Sequence, residues 1–170
     1  MVLEGAKPLD VGIPAQVFTT RPSMPYSVRV CGVKAGLVPG ADGLSYHVEQ
    51  GLEALDGADI VFIPGYHSPD ASTPPDALLD ALRSAHSRGA KLAAISTGAF
   101  ALAATGLLDG KRATTHWHYT KAFSKRFPSV ELNEGVLFVD EGEVLTSAGA
   151  ASGLDLCLHI LRAEQGLAAA

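Results

Sequence analysis

Short apolar runs alternate with amphipathic stretches along this chain, and the alternation predicts strands and helices in turn. Asp59-Ile60-Val61-Phe62-Ile63 and Lys91-Leu92-Ala93-Ala94-Ile95 are nearly continuous apolar runs, the pattern of strands covered on both faces. The first is closed by Pro64-Gly65 and followed by a polar, proline-rich loop over residues 68–75. From 75 to 88, Leu78, Leu79, Leu82 and Ala85 recur at helical spacing on one side. Residues 26–33 alternate apolar and polar, as a half-buried strand does. Val2-Leu3 reads as a strand stub, and Val38 with Tyr46-His47-Val48 reads as a hairpin or two short strands. Helices are predicted over 11–18, with Pro14 in the first turn, over 51–55, over 117–127 and over 150–161. Short strands are predicted over 130–132, 136–139 and 144–146. Buried strands separated by helices imply an α/β three-layer sandwich with a mostly parallel central sheet. In such sheets ligands bind beyond the carboxyl ends of the strands. The loops at Gly65-Tyr66, Ser96-Thr97 and Ser147-Ala148-Gly149 all follow predicted strands, so they are expected to converge.

One joint stands out. The strand of Lys91-Leu92-Ala93-Ala94-Ile95 ends at Ser96, and a helix-forming run begins at Thr97-Gly98-Ala99-Phe100. Small residues flank Ser96 at Ala94 and Gly98. A sharp strand-to-helix turn requires such neighbours, because the backbone passes close to itself, and this is the form of a nucleophile elbow. The residue on the joint points into the crevice, where amide hydrogens at the start of the helix favour an acceptor.

Composition narrows the function classes. With 170 residues, 47% hydrophobic and 18% charged, the chain is read as one globular domain, residues 1–170, with enough length for a substantial core. The net charge is −5 and no Lys/Arg block occurs, so no surface for nucleic acid is legible. No apolar stretch is long enough for a bilayer and no secretory pattern opens the chain, so a cytoplasmic location is expected. Cys31 and Cys157 do not form a CxxC and read as buried structural thiols. His47, His67, His86 and His159 show no metal-ligand spacing, and no metal or cofactor is expected; His67 follows Gly65-Tyr66 and is placed at the mouth of the crevice.

Several segments together resemble the ThiJ/PfpI branch of the class I glutamine amidotransferase-like superfamily, in particular the N-terminal domain of AraC-type regulators. They are Leu9-Asp10-Val11-Gly12-Ile13-Pro14-Ala15-Gln16-Val17-Phe18, Ile63-Pro64-Gly65-Tyr66 and Ser96-Thr97-Gly98-Ala99-Phe100. The most specific is Gly106-Leu107-Leu108-Asp109-Gly110-Lys111-Arg112-Ala113-Thr114-Thr115-His116-Trp117. Phe138-Val139-Asp140, Thr146-Ser147-Ala148-Gly149 and Gly153-Leu154-Asp155-Leu156-Cys157-Leu158-His159 complete the series, which spans almost the whole chain. The resemblance implies a flavodoxin-like fold. In AraC-type members two helix-turn-helix units follow this domain and bind DNA. This chain holds no such region, so contact with DNA would pass through a segment outside it. The Ala-rich end at 166–170 reads as cut off rather than capped.

The resemblance also assigns candidate site residues. Ser96 stands where the family has its reactive cysteine. A hydroxyl needs a base where a thiol does not, so Ser96 is read as a nucleophile, a ligand-anchoring donor or a structural relic. Asp10 matches the acid that faces the elbow, and is alternatively the N-cap of the helix after it. His116 matches a histidine that some relatives place near the nucleophile; it could activate Ser96 or hold a turn. Gly65 and Tyr66 match the loop that gives a backbone donor to an oxyanion hole, with Thr97 N–H as the other. Trp117 reads as packing or as a platform. The implied function is ligand sensing and dimerisation, the ligand being a small polar metabolite held by Asp10, Gly65, Tyr66, Ser96, Thr97 and His116. The alternative is a free-standing hydrolase or hydratase of the amidase or isonitrile-hydratase kind. A glutamine amidotransferase would need a Cys nucleophile and a late His-Glu pair, which are lacking.

Overall fold

The computed structural model describes residues 1–19 and 26–166; the Ala-rich end at 167–170 lies outside them. The central sheet has four strands in the order β3-β4-β8-β7, formed by Ile60–Ile63, Lys91–Ile95, Val144–Ser147 and Phe138–Asp140. The first three run parallel and β7 is antiparallel at the edge. Two smaller pairs flank it. β1 (Gly36–Pro39) and β2 (Ser45–Val48) form an antiparallel hairpin, and β5 (Arg112–Ala113) pairs in parallel with β6 (Glu131–Leu132). The helices are α1 (Pro8–Val17), α2 (Asp76–Ser87), α3 (Gly98–Ala104), α4 (Thr120–Arg126) and α5 (Ala151–Gln165), with 3-10 turns at Leu52–Leu55 and Trp117–Tyr119.

Alternation within the strands builds the three layers. On β4, Leu92 and Ala94 join the core formed with α2, α3 and α4, while Ala93 joins the core on the other face with Leu156 and Ile160 of α5. On β8, Val144 and Leu145 divide in the same way. Both faces of the sheet are therefore apolar, which is why β3 and β4 read as unbroken hydrophobic runs rather than alternating ones. Phe100, from α3, anchors the larger core by edge-to-face contacts with Tyr119, Phe123 and Phe127 at centroid separations of 6.2, 5.0 and 6.0 Å.

Three expectations are corrected. Among the described residues the alternating stretch at 26–33 forms no ladder; it makes one bridge, Cys31 to Gln50, and Val28 and Val30 remain 40% and 39% exposed. Alternation marks a segment suited to a sheet edge, but a ladder also needs a neighbour in register. The Val2-Leu3 stub is likewise not a ladder, although Val2 N–H donates to the Cys31 carbonyl at 2.7 Å. Finally, α1 begins at Pro8, so Pro14 lies inside the helix and Pro8 occupies its first turn. The N-cap is Lys7, and Asp10 sits in the first helical turn instead of capping it. Among the described residues no helix is long and apolar enough to cross a membrane.

Candidate functional site

Ser96 follows the last residue of β4 and takes a backbone φ of 60°, the left-handed region that a non-glycine residue enters only under constraint. The constraint is visible on both sides. Ser96 N–H donates to the Ser147 carbonyl at 2.9 Å, and the Thr115 hydroxyl donates to the Ser96 carbonyl at 3.0 Å. Gly98 is required because the elbow presses α3 onto β3: a Cβ there would stand 2.1 Å from the Ile63 carbonyl oxygen. The Ser96 side chain is then hemmed by two more glycines. A Cβ on Gly149 would lie 2.7 Å from Ser96 Oγ, and one on Gly65 would lie 3.1 Å from it. The residue is only 1% exposed.

Asp10 reaches the same point from α1. The position a Gly65 Cβ would occupy is 2.5 Å from Asp10 Oδ2 and 3.1 Å from Ser96 Oγ, so carboxyl and hydroxyl face each other across Gly65. Asp10 is 2% exposed. It accepts a hydrogen bond from Gly65 N–H at 3.2 Å. Burial raises its pKa above the usual carboxylate value, against the opposing pull of the Gly65 amide, the Lys7 charge and the Ala150 amide. One carboxyl group thus ties helix α1 to the loop after β3. Ala150 has a φ of 49°, so the turn into α5 is held in a strained conformation beside the elbow.

The remaining candidates are placed as follows. Thr97 and Tyr66 make a reciprocal clasp, Tyr66 N–H donating to Thr97 Oγ1 and Thr97 Oγ1–H donating to the Tyr66 carbonyl, both at 2.8 Å. The Tyr66 ring packs into the core, where burial pushes its phenol up to about 12. The expected oxyanion donors of the Gly65-Tyr66 loop are therefore already committed, Gly65 N–H to Asp10 and Tyr66 N–H to Thr97. Buried acceptors claimed them, since a buried carboxyl or hydroxyl left unpaired is costly. Thr97 N–H makes no hydrogen bond among the described residues.

His116 lies beside Thr115 but forms no hydrogen bond to Ser96. Its Nδ1 accepts from His118 N–H at 3.2 Å, so in the neutral ring the proton sits on Nε2. Burial, then the charges of Lys7 and His118, lower its pKa. Trp117 stacks on it at 5.7 Å between centroids and is 74% exposed, which corrects the packing reading of this residue. His67 is exposed and packs against Gly5, on a hollow of about 370 Å³ that Tyr66 also borders. A larger cavity of about 600 Å³, between Phe18, Val30 and Phe62, includes none of the six candidate residues. The larger volume lies away from the groups that could do chemistry, and the polar groups weigh more in locating the site. Among the described residues no cluster of His, Cys, Asp and Glu could hold a metal ion. The Ser147-Ala148-Gly149 loop, expected from sequence to converge on the elbow, meets Ser96 through Gly149. Lys7, whose N–H donates to the Gly65 carbonyl, was not singled out from sequence, where it carries no local signal.

Comparison with known proteins agrees with this architecture. The chain is 33% identical over 141 residues to the HTH-type transcriptional regulator CdhR of Pseudomonas aeruginosa, covering 83% of this chain and 41% of that protein. It is 29% identical over 161 residues to an isonitrile hydratase of Pseudomonas putida, covering 94% of this chain and 68% of the enzyme. The fold matches the crystal structure of an AraC family transcriptional regulator from Pseudomonas putida, with a TM-score of 0.85 at 20% identity over 98% of this chain and 91% of that one. The chain thus spans about two fifths of the regulator CdhR. The family model that fits residues 1–163 is that of DJ-1/PfpI, and with a flavodoxin-like sheet and a serine on its elbow, this chain belongs to the DJ-1/PfpI family.

Proposed function

We propose that this domain senses a small polar metabolite on behalf of an AraC-type transcriptional regulator, in the cleft between Asp10, Gly65, Tyr66, Ser96, Thr97 and His116. The observation that carries the reading is that, among the described residues, no base is hydrogen-bonded to the Ser96 hydroxyl. The Asp10 carboxyl accepts from the Gly65 amide and His116 turns its Nδ1 to His118. A hydroxyl without a base is a weak nucleophile but a competent hydrogen-bonding group. Serine at the place of the family cysteine also removes thiol oxidation as a signal. The similarity to transcriptional regulators supports the regulatory half of the reading. In this view the domain works in the cytoplasm as a homodimer. Ligand binding biases the arrangement of DNA-binding units outside these residues.

A hydratase reading draws on the similarity to isonitrile hydratase over most of the chain. The two separate in one experiment. Native protein, Ser96→Ala and Ser96→Cys are screened against small metabolites by thermal shift and assayed for hydration of isonitriles and amides. Sensing predicts a saturable rise in melting temperature, a modest change of affinity in Ser96→Ala, and no turnover by the native protein. Turnover by the native protein that vanishes in Ser96→Ala would establish the enzyme instead.

A further inference from the structure

The cavity of about 600 Å³ lies where a further strand of the central sheet would run. One wall is the outer edge of β3. The Asp59 carbonyl accepts from Lys91 N–H on β4. Successive residues of a strand turn their backbone groups to opposite sides, so those of Ile60 and Phe62 point away from β4 and toward the cavity. The facing wall is the stretch at 28–31, part of the alternating segment that forms no ladder. Met1 and Val2 join the two walls at one end. The Met1 amine donates to the Phe62 carbonyl and Val2 N–H donates to the Cys31 carbonyl, both at 2.7 Å. Consecutive residues bonded to opposite neighbours are the mark of a central strand, with about 4.8 Å to each side. From there the chain runs parallel to β3, since Lys7 N–H next meets the Gly65 carbonyl. Behind Met1 the walls continue for about four residues, at 28–31 and 59–62. Along them, among the described residues, the backbone groups of Arg29 and the N–H of Cys31 make no hydrogen bond. Both faces of the cavity are apolar. Phe18 packs with Ile60 and Phe62 on one, and Ala54 and Leu55 pack with Val61 on the other.

We propose that this cavity is a strand-binding site, and that its occupant is an extended apolar segment joined to the Met1 nitrogen and parallel to β3, a fifth strand of the central sheet. Three observations choose this occupant. Backbone groups on both walls call for another backbone, which a small apolar molecule does not supply. Apolar cover on both faces calls for a run of Val and Ile rather than an alternating segment. The Met1 nitrogen already lies on the strand path, and its bond to the Phe62 carbonyl is the one an amide would make there. A separate peptide would have to end against a buried ammonium instead, a costly neighbour. The same occupant accounts for the alternation at 26–33, because it is the neighbour in register that Val28 and Val30 lack.

Amide hydrogen exchange followed by NMR reads the walls residue by residue. In the native chain the Arg29 and Ile60 amides should exchange at least about tenfold faster than that of Val61, whose backbone faces β4. Three further samples test the occupant. One is the chain extended before Met1 by Ser-Val-Ile-Val-Val. Another carries Ser-Gly-Ser-Gly-Ser at the same place. The third is the native chain mixed with free Ser-Val-Ile-Val-Val, acetylated and amidated. The valine-rich extension should slow exchange at Arg29, Cys31, Ile60 and Phe62 by at least about tenfold and raise the melting temperature by about 5 °C or more. The glycine-serine extension should do neither. Slow exchange of the Arg29 and Ile60 amides in the native chain would overturn the proposal, and that measurement requires no variant to fold. Equal exchange in the two extended chains would overturn it as well. Protection by the free peptide as strong as by the joined one would overturn continuity with Met1. Sensing is judged separately, by the metabolite screen, because none of these four samples alters the residues around Ser96.

Discussion

Asp10 shows how one side chain can be both structural and functional. Its carboxyl ties α1 to the loop after β3, and burial raises its pKa despite the Gly65 amide that favours the charged form. In the window between the ordinary carboxyl value and the raised one, the folded protein holds a proton that the unfolded chain has released. Stability therefore falls as pH rises through that window and is level above it. An Asp10→Asn variant has no such group, so its pH profile should be flatter from the ordinary carboxyl value of about 4 upward. Urea unfolding midpoints measured across that range for both proteins check this. Parallel profiles would show that Asp10 titrates normally.

At the level of elements, the proline-rich loop over 68–75 could have been a loose flap over the cleft. It is instead pinned to α4. Arg126 Nη1 donates to the Pro69 and Ser72 carbonyls at 2.8 and 3.1 Å, and Nη2 donates to Thr73 Oγ1 at 2.9 Å. The guanidinium also lies 5.5 Å from the centre of the Phe127 ring. The bonds from a single planar fork thus offset the conformational entropy lost in ordering the loop. Arg126→Met should raise the rate at which a broad-specificity protease cuts within 68–75, while global stability falls by only about 1 to 2 kcal/mol. Limited proteolysis with mass-spectrometric mapping reads the first effect and urea unfolding the second. An unchanged cutting rate would mean that the loop is held by its own turns, such as the Ser72 hydroxyl bonded to the Ser68 carbonyl.

For the molecule as a whole, the larger core behind the elbow turns on Phe100, which is 1% exposed and touches three aromatic rings. Its helix starts immediately after Ser96, so the packing of Phe100 fixes how α3 leaves the elbow. Phe100→Ala should cost about 3–5 kcal/mol, a large share of the roughly 5–15 kcal/mol that holds a domain together. Equilibrium urea unfolding followed by circular dichroism measures it. A loss below about 1 kcal/mol would mean that the core collapses into the space or that Phe100 is peripheral.

The sequence by itself determined the strands β3, β4 and β8, the helix α2 and the elbow, because each is written in local pattern. A strand covered on both faces is apolar throughout, an amphipathic helix repeats its leucines, and a tight turn demands small residues around Ser96. It also pointed to Asp10, which motif resemblance set opposite the elbow. Tertiary structure alone decided the rest. The alternating stretch at 26–33 looked like a ladder strand, but pairing depends on a neighbour that no local pattern describes. The Gly65 and Tyr66 amides looked free for a ligand, but residues distant in sequence, Asp10 and Thr97, took them. Periodicity is a local property of the chain, whereas hydrogen-bond partners exist only once distant segments are brought together.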